Sequence, residues 1–188
     1  MQTEKLVIAV AGMPGSGKSL VVNTAIQNGY EVVVMGDEVR EEAKRRNTPP
    51  TPENIGKIML ELRRTEGEAV IAKRCTLKIE RSTKTKIAVD GIRSLSEVEE
   101  FKKRFKNFTL IGIHSSPETR FKRLFNRQRS DDPKNWEIFH ERDLRELSVG
   151  LGNAIAMAEY VIVNEGEINR TKDEIKAVFR KVETRWTK

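Results

Sequence analysis

Eight residues near the amino end of the chain have the types and spacing of a phosphate-binding loop. From Gly12 to Ser19 the sequence reads GMPGSGKS, which fits the pattern G-x-x-x-x-G-K-[ST] at every fixed position. The glycines let the backbone curl so that successive N–H groups point at phosphate oxygens, because no Cβ blocks their approach. Lys18 can then reach the β- and γ-phosphates, and the Ser19 hydroxyl can bind Mg²⁺. The motif therefore predicts a site for a nucleoside triphosphate and Mg²⁺, with Lys18 catalytic.

The segments on either side of this loop favour the phosphate-site interpretation over a glycine turn that binds nothing. An apolar run of strand length, Leu6–Ala11, precedes the loop. Apolar residues at helical spacing follow it and end at Asn28-Gly29, a plausible helix stop. Strand, glycine loop and helix in this order are the context that the motif requires. The predicted nucleotide-binding residues of this segment are Gly12, Met13, Pro14, Gly15, Ser16, Gly17, Lys18, Ser19 and Leu20.

An aspartate and an arginine follow the second apolar run, Glu31–Met35. The segment Gly36–Arg40 reads GDEVR and resembles the G-D-x-x-R of adenylate kinases, which grips the acceptor nucleotide's phosphate. The resemblance implies that Arg40 binds acceptor phosphate. It also implies that Asp37 orients the acceptor, or acts as general base where the acceptor is a hydroxyl. From the residues alone, Asp37 could equally be a helix N-cap and Arg40 a solvated helix residue.

A third group of candidate residues lies at the end of another apolar run. The segment Lys86–Arg93 reads KIAVDGIR, which places Asp90 at the carboxyl end of a central strand, where ligands of open α/β sheets bind. We therefore expect Asp90 to lie near Mg²⁺ together with Ser19, although a turn aspartate before glycine would have the same sequence. The pattern D-G-x-R resembles the adenylate kinase D-G-x-x-R, one residue shorter and without its proline. On that resemblance Arg93 holds acceptor phosphate.

The segment Arg120–Lys134 is dense in arginine, with six basic residues against two acidic ones. Arg120, Arg123 and Arg127 are spaced i, i+3, i+7, so they share a helix face that repels itself unless anions bind there. With the helix expected to end near Glu146, residues 120–146 resemble the lid of nucleoside monophosphate kinases. The resemblance implies that arginines close over the transferring phosphoryl group. Arg123 and Arg127 are the preferred catalytic candidates, Arg127 also contacting the nucleotide, with Arg129 and Arg142 behind them. The alternative is a solvated basic helix.

The last apolar run is followed by a candidate base contact. Residues 158–166 read AEYVIVNEG and resemble the last strand of dephospho-coenzyme A kinases, where an asparagine borders the adenine. That resemblance assigns Asn164 to the nucleotide, while a turn asparagine would explain the residue equally well. Over nearly the whole chain, the order of motifs resembles archaeal kinases related to adenylate and dephospho-coenzyme A kinases.

The elements that must position these residues alternate between strand and helix. Apolar runs separated by helical segments predict an α/β fold with a doubly wound, five-stranded parallel sheet. The kinase resemblance implies the three-layer P-loop NTPase fold and the strand order 2-3-1-4-5. We expect one domain over residues 1–188, with a helical acceptor-binding insertion at 37–81 and the lid at 120–146.

Composition limits the classes of partner and compartment. The net charge of +7 and the pI near 9.6 suit a polyanion, either ATP or nucleic acid. Nucleic acid is disfavoured because 28 acidic residues are interleaved and aromatics make up only 6%. The single cysteine, Cys75, excludes an internal disulfide and favours a reducing compartment. The absence of a long apolar run and of a signal-like start predicts a cytoplasmic protein with no membrane association. The sequence leaves the oligomeric state open.

These observations predict an ATP-dependent kinase that transfers the γ-phosphoryl group of Mg-ATP to a small, nucleotide-like acceptor. Arg40 and Arg93 favour a nucleoside monophosphate, whose phosphate is the nucleophile. Asp37 and the Asn164 segment favour a hydroxyl acceptor such as dephospho-coenzyme A. A GTPase switch or mechanical ATPase is a less favoured class, because no N-K-x-D guanine signature occurs and Asp90 is followed by glycine. A nucleic-acid-binding ATPase remains a further alternative.

Overall fold

The computed structural model describes residues 3–129 and 132–187, and in them a five-stranded parallel sheet forms the centre of the molecule. The strands are β1 (Thr3–Ala11), β2 (Glu31–Val34), β3 (Lys86–Ile92), β4 (Phe105–His114) and β5 (Tyr160–Val163). Their order across the sheet is β2-β3-β1-β4-β5, and each neighbouring pair is parallel. The predicted fold class and strand order are therefore confirmed.

The central strand explains why the sheet holds together. In β1, Ala9 lies opposite Val89 of β3 and Leu110 of β4, so both edges of the strand are hydrogen-bonded. Residues 6–11 are buried on both faces, as the continuous apolar run requires, since helices cover both faces of a parallel sheet. The loop that follows β1 is consequently held at the middle of the sheet's carboxyl edge.

The described residues form nine helices, of which seven pack on the two faces of the sheet. They are α1 (Lys18–Gln27), α2 (Met35–Arg45), α3 (Pro52–Glu66), α4 (Val70–Arg81), α5 (Leu95–Arg104), α6 (Pro117–Arg127), α7 (Trp136–Ser148), α8 (Leu151–Ala156) and α9 (Ile168–Trp186). On one face α1 and α9 pack on the sheet through residues such as Val21 and Phe179. On the other face the core is filled from α2, α3, α4, α5 and α8. The three-layer architecture is the predicted one.

The helical insertion consists of separate helices, although its apolar residues keep helical spacing to about Arg81. The chain breaks at Gly67, which has a φ of +99° that side-chain-bearing residues rarely adopt, and α4 begins at Val70. Apolar residues have helical spacing on both sides of Gly67, so the sequence pattern does not reveal where the helix ends. The insertion at 37–81 thus consists of most of α2 with α3 and α4, packed against one another.

The segment predicted as a lid consists of two helices that pack through aromatic side chains. Phe121 of α6 contacts Trp136 and Phe139 of α7, with ring centroids 5.4 and 5.5 Å apart. Asn135 caps α7 by accepting from the backbone N–H of Ile138 at 2.9 Å. Residues 130 and 131, between the helices, lie outside the described residues.

In the described part of the chain, every helix is too short or too polar to cross a bilayer.

Candidate functional site

The loop between β1 and α1 has a backbone that only its glycines allow. Gly15 and Gly17 have φ values of +81° and +102°. At Gly12, an added Cβ would lie 2.7 Å from the carbonyl oxygen of Ile113, which is backbone of β4 and cannot give way. Gly17 directly precedes the first residue of α1, so unpaired helix N–H groups also face this loop. The local structure is therefore that of an anion-binding loop.

A cavity of about 510 Å³ opens above the loop. It is bounded by the loop, by the ends of β3 and α2, and by the lid helices α6 and α7. Its lining residues are Gly12, Pro14, Gly15, Gly17, Lys18, Ser19, Arg40, Asp90, Gly91, Ile92, Arg93, Arg123, Leu124, Arg127, Arg129, Arg142, Glu146 and Leu151. Seven of these side chains are cationic and two are acidic, so the cavity suits a polyanion.

Lys18 is folded back onto its own loop. Its Nζ donates to the carbonyl oxygen of Gly12 at 2.6 Å. Burial lowers the pKa of Lys18 from its ordinary 10.5 to about 8, with Asp90 opposing the shift and Arg93 adding to it. Among the described residues, the hydrogen-bond acceptors of this ammonium group are uncharged carbonyl oxygens, and a triphosphate would offer charged ones.

Asp90 and Ser19 are the residues that could hold Mg²⁺. Within the described chain, the buried Oδ1 of Asp90 has no hydrogen-bond partner. Burial raises the pKa of Asp90, against the opposing effects of Lys18 and Arg93. Ser19 lines the same cavity with an exposed side chain. Oxygen ligands, one of them an unsatisfied carboxylate, fit the preference of Mg²⁺.

The two residues predicted after the second strand occupy different positions relative to the cavity. Both lie in the first turns of α2, which begins directly after β2 at Met35. Arg40 reaches the cavity lining, whereas Asp37 does not. Asp37 instead accepts from Arg40 Nε at 3.0 Å, and both side chains are about half exposed. The structure thus brings Arg40 to the other site residues and leaves Asp37 as its exposed ion-pair partner.

Arg93 lies at the cavity wall and is held at two points. Its backbone N–H donates to the fully buried carboxylate of Glu97 at 2.7 Å, and its guanidinium pairs with Glu146 of α7. Glu97 also accepts from Arg63 at 2.6 Å. Ser94 caps the start of α5 by accepting from the Glu97 N–H.

Arg123 bridges the loop and the ends of β4 and β5. Its guanidinium donates to Ser115 Oγ and to the carbonyl oxygen of Asn164, both at 2.9 Å, and to that of Gly15 at 3.4 Å. These three acceptors are uncharged oxygens. The guanidinium therefore keeps its charge available to an anion in the cavity.

Arg127 lines the cavity but is tied to an acid of the lid. Asp132, which is almost fully buried, accepts from Arg127 Nε at 3.0 Å and from the backbone N–H of Arg129 at 2.8 Å. These hydrogen bonds, that of Arg127 foremost, lower the pKa of Asp132. Arg129 and Arg142, the secondary candidates, also line the cavity. For Arg127 to act on a phosphoryl group, it would exchange Asp132 for phosphate oxygens.

Arg120 shares the helix face of the other two arginines but has a structural role. It is 3% exposed, and its guanidinium makes two hydrogen bonds to Asp143 of α7, at 2.8 and 2.5 Å. It also donates to the carbonyl oxygens of Ser115 and Pro14, and it stacks 5.0 Å from the ring centroid of Phe139. Arg120 thus joins α6, α7 and the phosphate-binding loop.

Asn164 supports the loop from below. Its Nδ2 donates to the carbonyl oxygen of Ser16 at 2.9 Å, and its Oδ1 accepts from Thr171. The side chain is buried and does not belong to the cavity lining, so the predicted adenine contact stays a prediction. Met13 and Ser16 are likewise buried, and Leu20 packs against the core below α1.

Sequence reasoning missed Glu146 as a site residue, and it preferred Arg123 and Arg127 without predicting the structural role of Arg120. Helical spacing puts the three arginines on one face, but their partners come from other elements. The sequence feature that could have indicated Glu146 is its position one helical turn after Arg142. The candidates from that segment were all basic residues, so the acid was not considered.

Comparison with known proteins places the chain in a family. Residues 11–140 match the family model described as an AAA domain. A UPF0200 protein of Hyperthermus butylicus is 46% identical over 178 residues, which cover 95% of each chain. Two solved structures share the fold at low identity. A gluconokinase from Sinorhizobium meliloti has a TM-score of 0.59 and 14% identity, and the match covers 100% of this chain and 98% of that one. A shikimate kinase from Bacteroides thetaiotaomicron has a TM-score of 0.60 and 12% identity, and the match covers 95% of this chain and 98% of that one. The chain therefore belongs to the UPF0200 family, with an AAA domain over residues 11–140.

Proposed function

We propose that the protein is an ATP-dependent phosphotransferase that moves the γ-phosphoryl group of Mg-ATP to the phosphate of a nucleoside monophosphate. One observation carries this proposal. A single cavity is lined by the phosphate-binding loop, by two arginines from the predicted acceptor side, and by the arginines of the lid helices. The fold shared with a gluconokinase and a shikimate kinase agrees with phosphoryl transfer to a small molecule.

On the donor side, the loop and Lys18 would bind the triphosphate. Lys18 Nζ would exchange the carbonyl oxygen of Gly12 for oxygens of the β- and γ-phosphates. Asp90 and Ser19 would hold Mg²⁺, which neutralises charge on the β- and γ-phosphates when it is bound. The raised pKa of Asp90 means that the carboxylate is desolvated, so a cation would replace the lost solvation.

On the acceptor side, the residues favour a phosphate nucleophile over a hydroxyl. Arg40 and Arg93 provide two guanidinium groups, whose planar forks match phosphate oxygens. A phosphate nucleophile needs no general base, whereas a hydroxyl does. Asp37, the candidate base, is absent from the cavity lining and paired with Arg40. A hydroxyl acceptor such as dephospho-coenzyme A is therefore the second candidate.

The lid helices would complete the site around the transferring group. Arg123 already lies against the loop, and Arg127 borders the cavity one turn further along α6. Charge on the equatorial oxygens of the transferring phosphoryl would be stabilised by these guanidinium groups. Closure of such a segment also excludes water, which would otherwise hydrolyse ATP.

A γ-phosphate transfer screen tests the proposal. The protein is incubated with Mg²⁺ and γ-³²P-labelled ATP, and with each nucleoside monophosphate, dephospho-coenzyme A or water alone as acceptor. We expect label in at least one nucleoside diphosphate, and none when Lys18→Met replaces the wild type. Lys172→Met, on the exposed surface of α9, is the matched control and should retain activity. Label appearing only in coenzyme A would favour the second candidate, and label only in free phosphate would contradict both.

A further inference from the structure

Helix α7 makes two ion pairs, one with Arg120 of α6 and one with Arg93 after β3. Asp143 pairs with Arg120, and Glu146, three residues later on the same helix, pairs with Arg93. Residues three apart lie on neighbouring positions of one helix face. Both acids are nearly buried, 7% and 8% exposed. A single face of α7 is therefore attached to two separate parts of the site.

The Asp143 end is attached to the donor side. Arg120, which Asp143 holds through two hydrogen bonds, also donates to the carbonyl oxygen of Pro14 in the phosphate-binding loop. A Cβ at Gly15 would lie 2.8 Å from the carbonyl oxygen of Arg120, so α6 and the loop are in direct contact. Movement of α7 at this end would therefore displace groups that contact the phosphate-binding loop.

The Glu146 end is attached to the acceptor side through a side chain that can change partner. The backbone of Arg93 is fixed, because its N–H donates to Glu97, and Glu97 is fully buried against Arg63. Only the guanidinium of Arg93 bonds Glu146, and both residues line the cavity. Among the described residues, the lining contains two acids, Glu146 and Asp90, and Asp90 is accounted for by the Mg²⁺ site.

We propose that Glu146 is a positioning residue that holds Arg93 until the acceptor's phosphate replaces it, so that acceptor binding releases this end of α7. The inference rests on the proposed function for the identity of the displacing group. A phosphate carries more charge and more acceptor oxygens than a carboxylate, and planar guanidinium groups bind it in two-point geometry. Through Asp143 and Arg120, the released helix acts on the loop that holds the donor.

Phosphate binding to variants tests this directly. The phosphate-binding loop is first saturated with Mg²⁺ and the β,γ-imido analogue of ATP, and inorganic phosphate is then titrated by calorimetry. Glu146→Gln should lower the dissociation constant of phosphate about tenfold, equivalent to about 1.4 kcal/mol, because the competing ion pair is gone. Glu141→Gln, an exposed glutamate of the same helix, should leave it unchanged.

The background of Arg93→Ala separates displacement from a general charge effect. If Glu146 acts through Arg93, Glu146→Gln has no effect on phosphate binding in that background. An equal effect with and without Arg93, or no measurable binding of phosphate to Glu146→Gln, would overturn the inference.

A second measurement follows the helix itself. In a Trp186→Phe background, Trp136 of α7 is the only tryptophan. Phosphate should change its emission in the wild-type site, and Glu146→Gln should show the changed emission before phosphate is added. Emission that is unchanged by both phosphate and the substitution would contradict transmission of the release along α7 to its contact with α6. These are binding measurements, so a positive result with no phosphoryl transfer in the screen would remove the proposed function and leave the role of Glu146 standing.

Discussion

At the scale of single residues, the site holds charges that burial has left without full compensation. Burial lowers the pKa of Lys18 and raises that of Asp90, so each shift disfavours the charged form. Each group also partly counteracts the shift of the other. A triphosphate facing Lys18 and a divalent cation facing Asp90 would reverse both shifts. The same residues thus lower the stability of the free protein and contribute favourably to the binding free energy of Mg-ATP.

The lowered pKa of Lys18 makes stability depend on pH in a defined window. Between the folded pKa of about 8 and the ordinary 10.5, the unfolded chain binds more protons at this site, so the wild type gains stability as the pH rises. At about 1.4 kcal/mol per pKa unit, the gain relative to Lys18→Met is on the order of 3 kcal/mol. Urea unfolding of both proteins at pH 8 and pH 10.5 measures it. Parallel stability profiles would show that the Lys18 ammonium is not desolvated.

Arg40 is expected to affect the acceptor and not the donor. It borders the cavity from α2, an element separate from the loop whose residues would hold ATP. Arg40→Ala should therefore raise the KM for the acceptor at least tenfold and leave the KM for ATP within about twofold, since one charge-assisted contact is lost. Steady-state kinetics with each substrate varied in turn provide the measurement. Equal increases in both constants would contradict the assignment.

At the scale of secondary-structure elements, the density of arginine from Arg120 to Lys134 marked the segment that the structure forms from α6 and α7, but not how these helices are joined. The role of this segment as a lid stays a prediction. The partners of its arginines could not be read from the sequence, because Asp143 is 23 residues from Arg120 and no local rule connects them. The break at Gly67 was missed for a related reason, since the apolar spacing continues on both sides of it.

The Arg120–Asp143 pair should be a main support of the lid. Asp143→Asn leaves a guanidinium buried without its counter-charge, which costs about 3 kcal/mol in comparable cases. Asp173→Asn is the matched control, because Asp173 forms an exposed pair with Lys176 on α9. Urea unfolding should show a large loss of stability for the first variant and almost none for the second. Similar small losses in both would mean that Arg120 is not the junction inferred from its contacts.

At the scale of the whole molecule, the fold was predictable because its signals are local and repeated. Apolar strand runs that alternate with helices specify a parallel α/β sheet, and the loop from Gly12 to Ser19 fixes where its functional edge lies. Strand order followed from the family resemblance, since alternation alone fits several orders. The position of Asp90 in the cavity lining was predictable, because the residue lies near the carboxyl end of β3. The site was less predictable where a side chain can either face the cavity or bond a structural partner, as for Asp37 and Asn164.

The central claim is that the loop between β1 and α1 grips the triphosphate of a phosphoryl donor. A crystal structure of the protein with Mg²⁺ and the β,γ-imido analogue of ATP tests it most directly. The account predicts phosphate oxygens within hydrogen-bond distance of the loop N–H groups, with Lys18 Nζ moved from the Gly12 carbonyl to the β- and γ-phosphates. A nucleotide bound elsewhere, with Lys18 still on the Gly12 carbonyl, would contradict it.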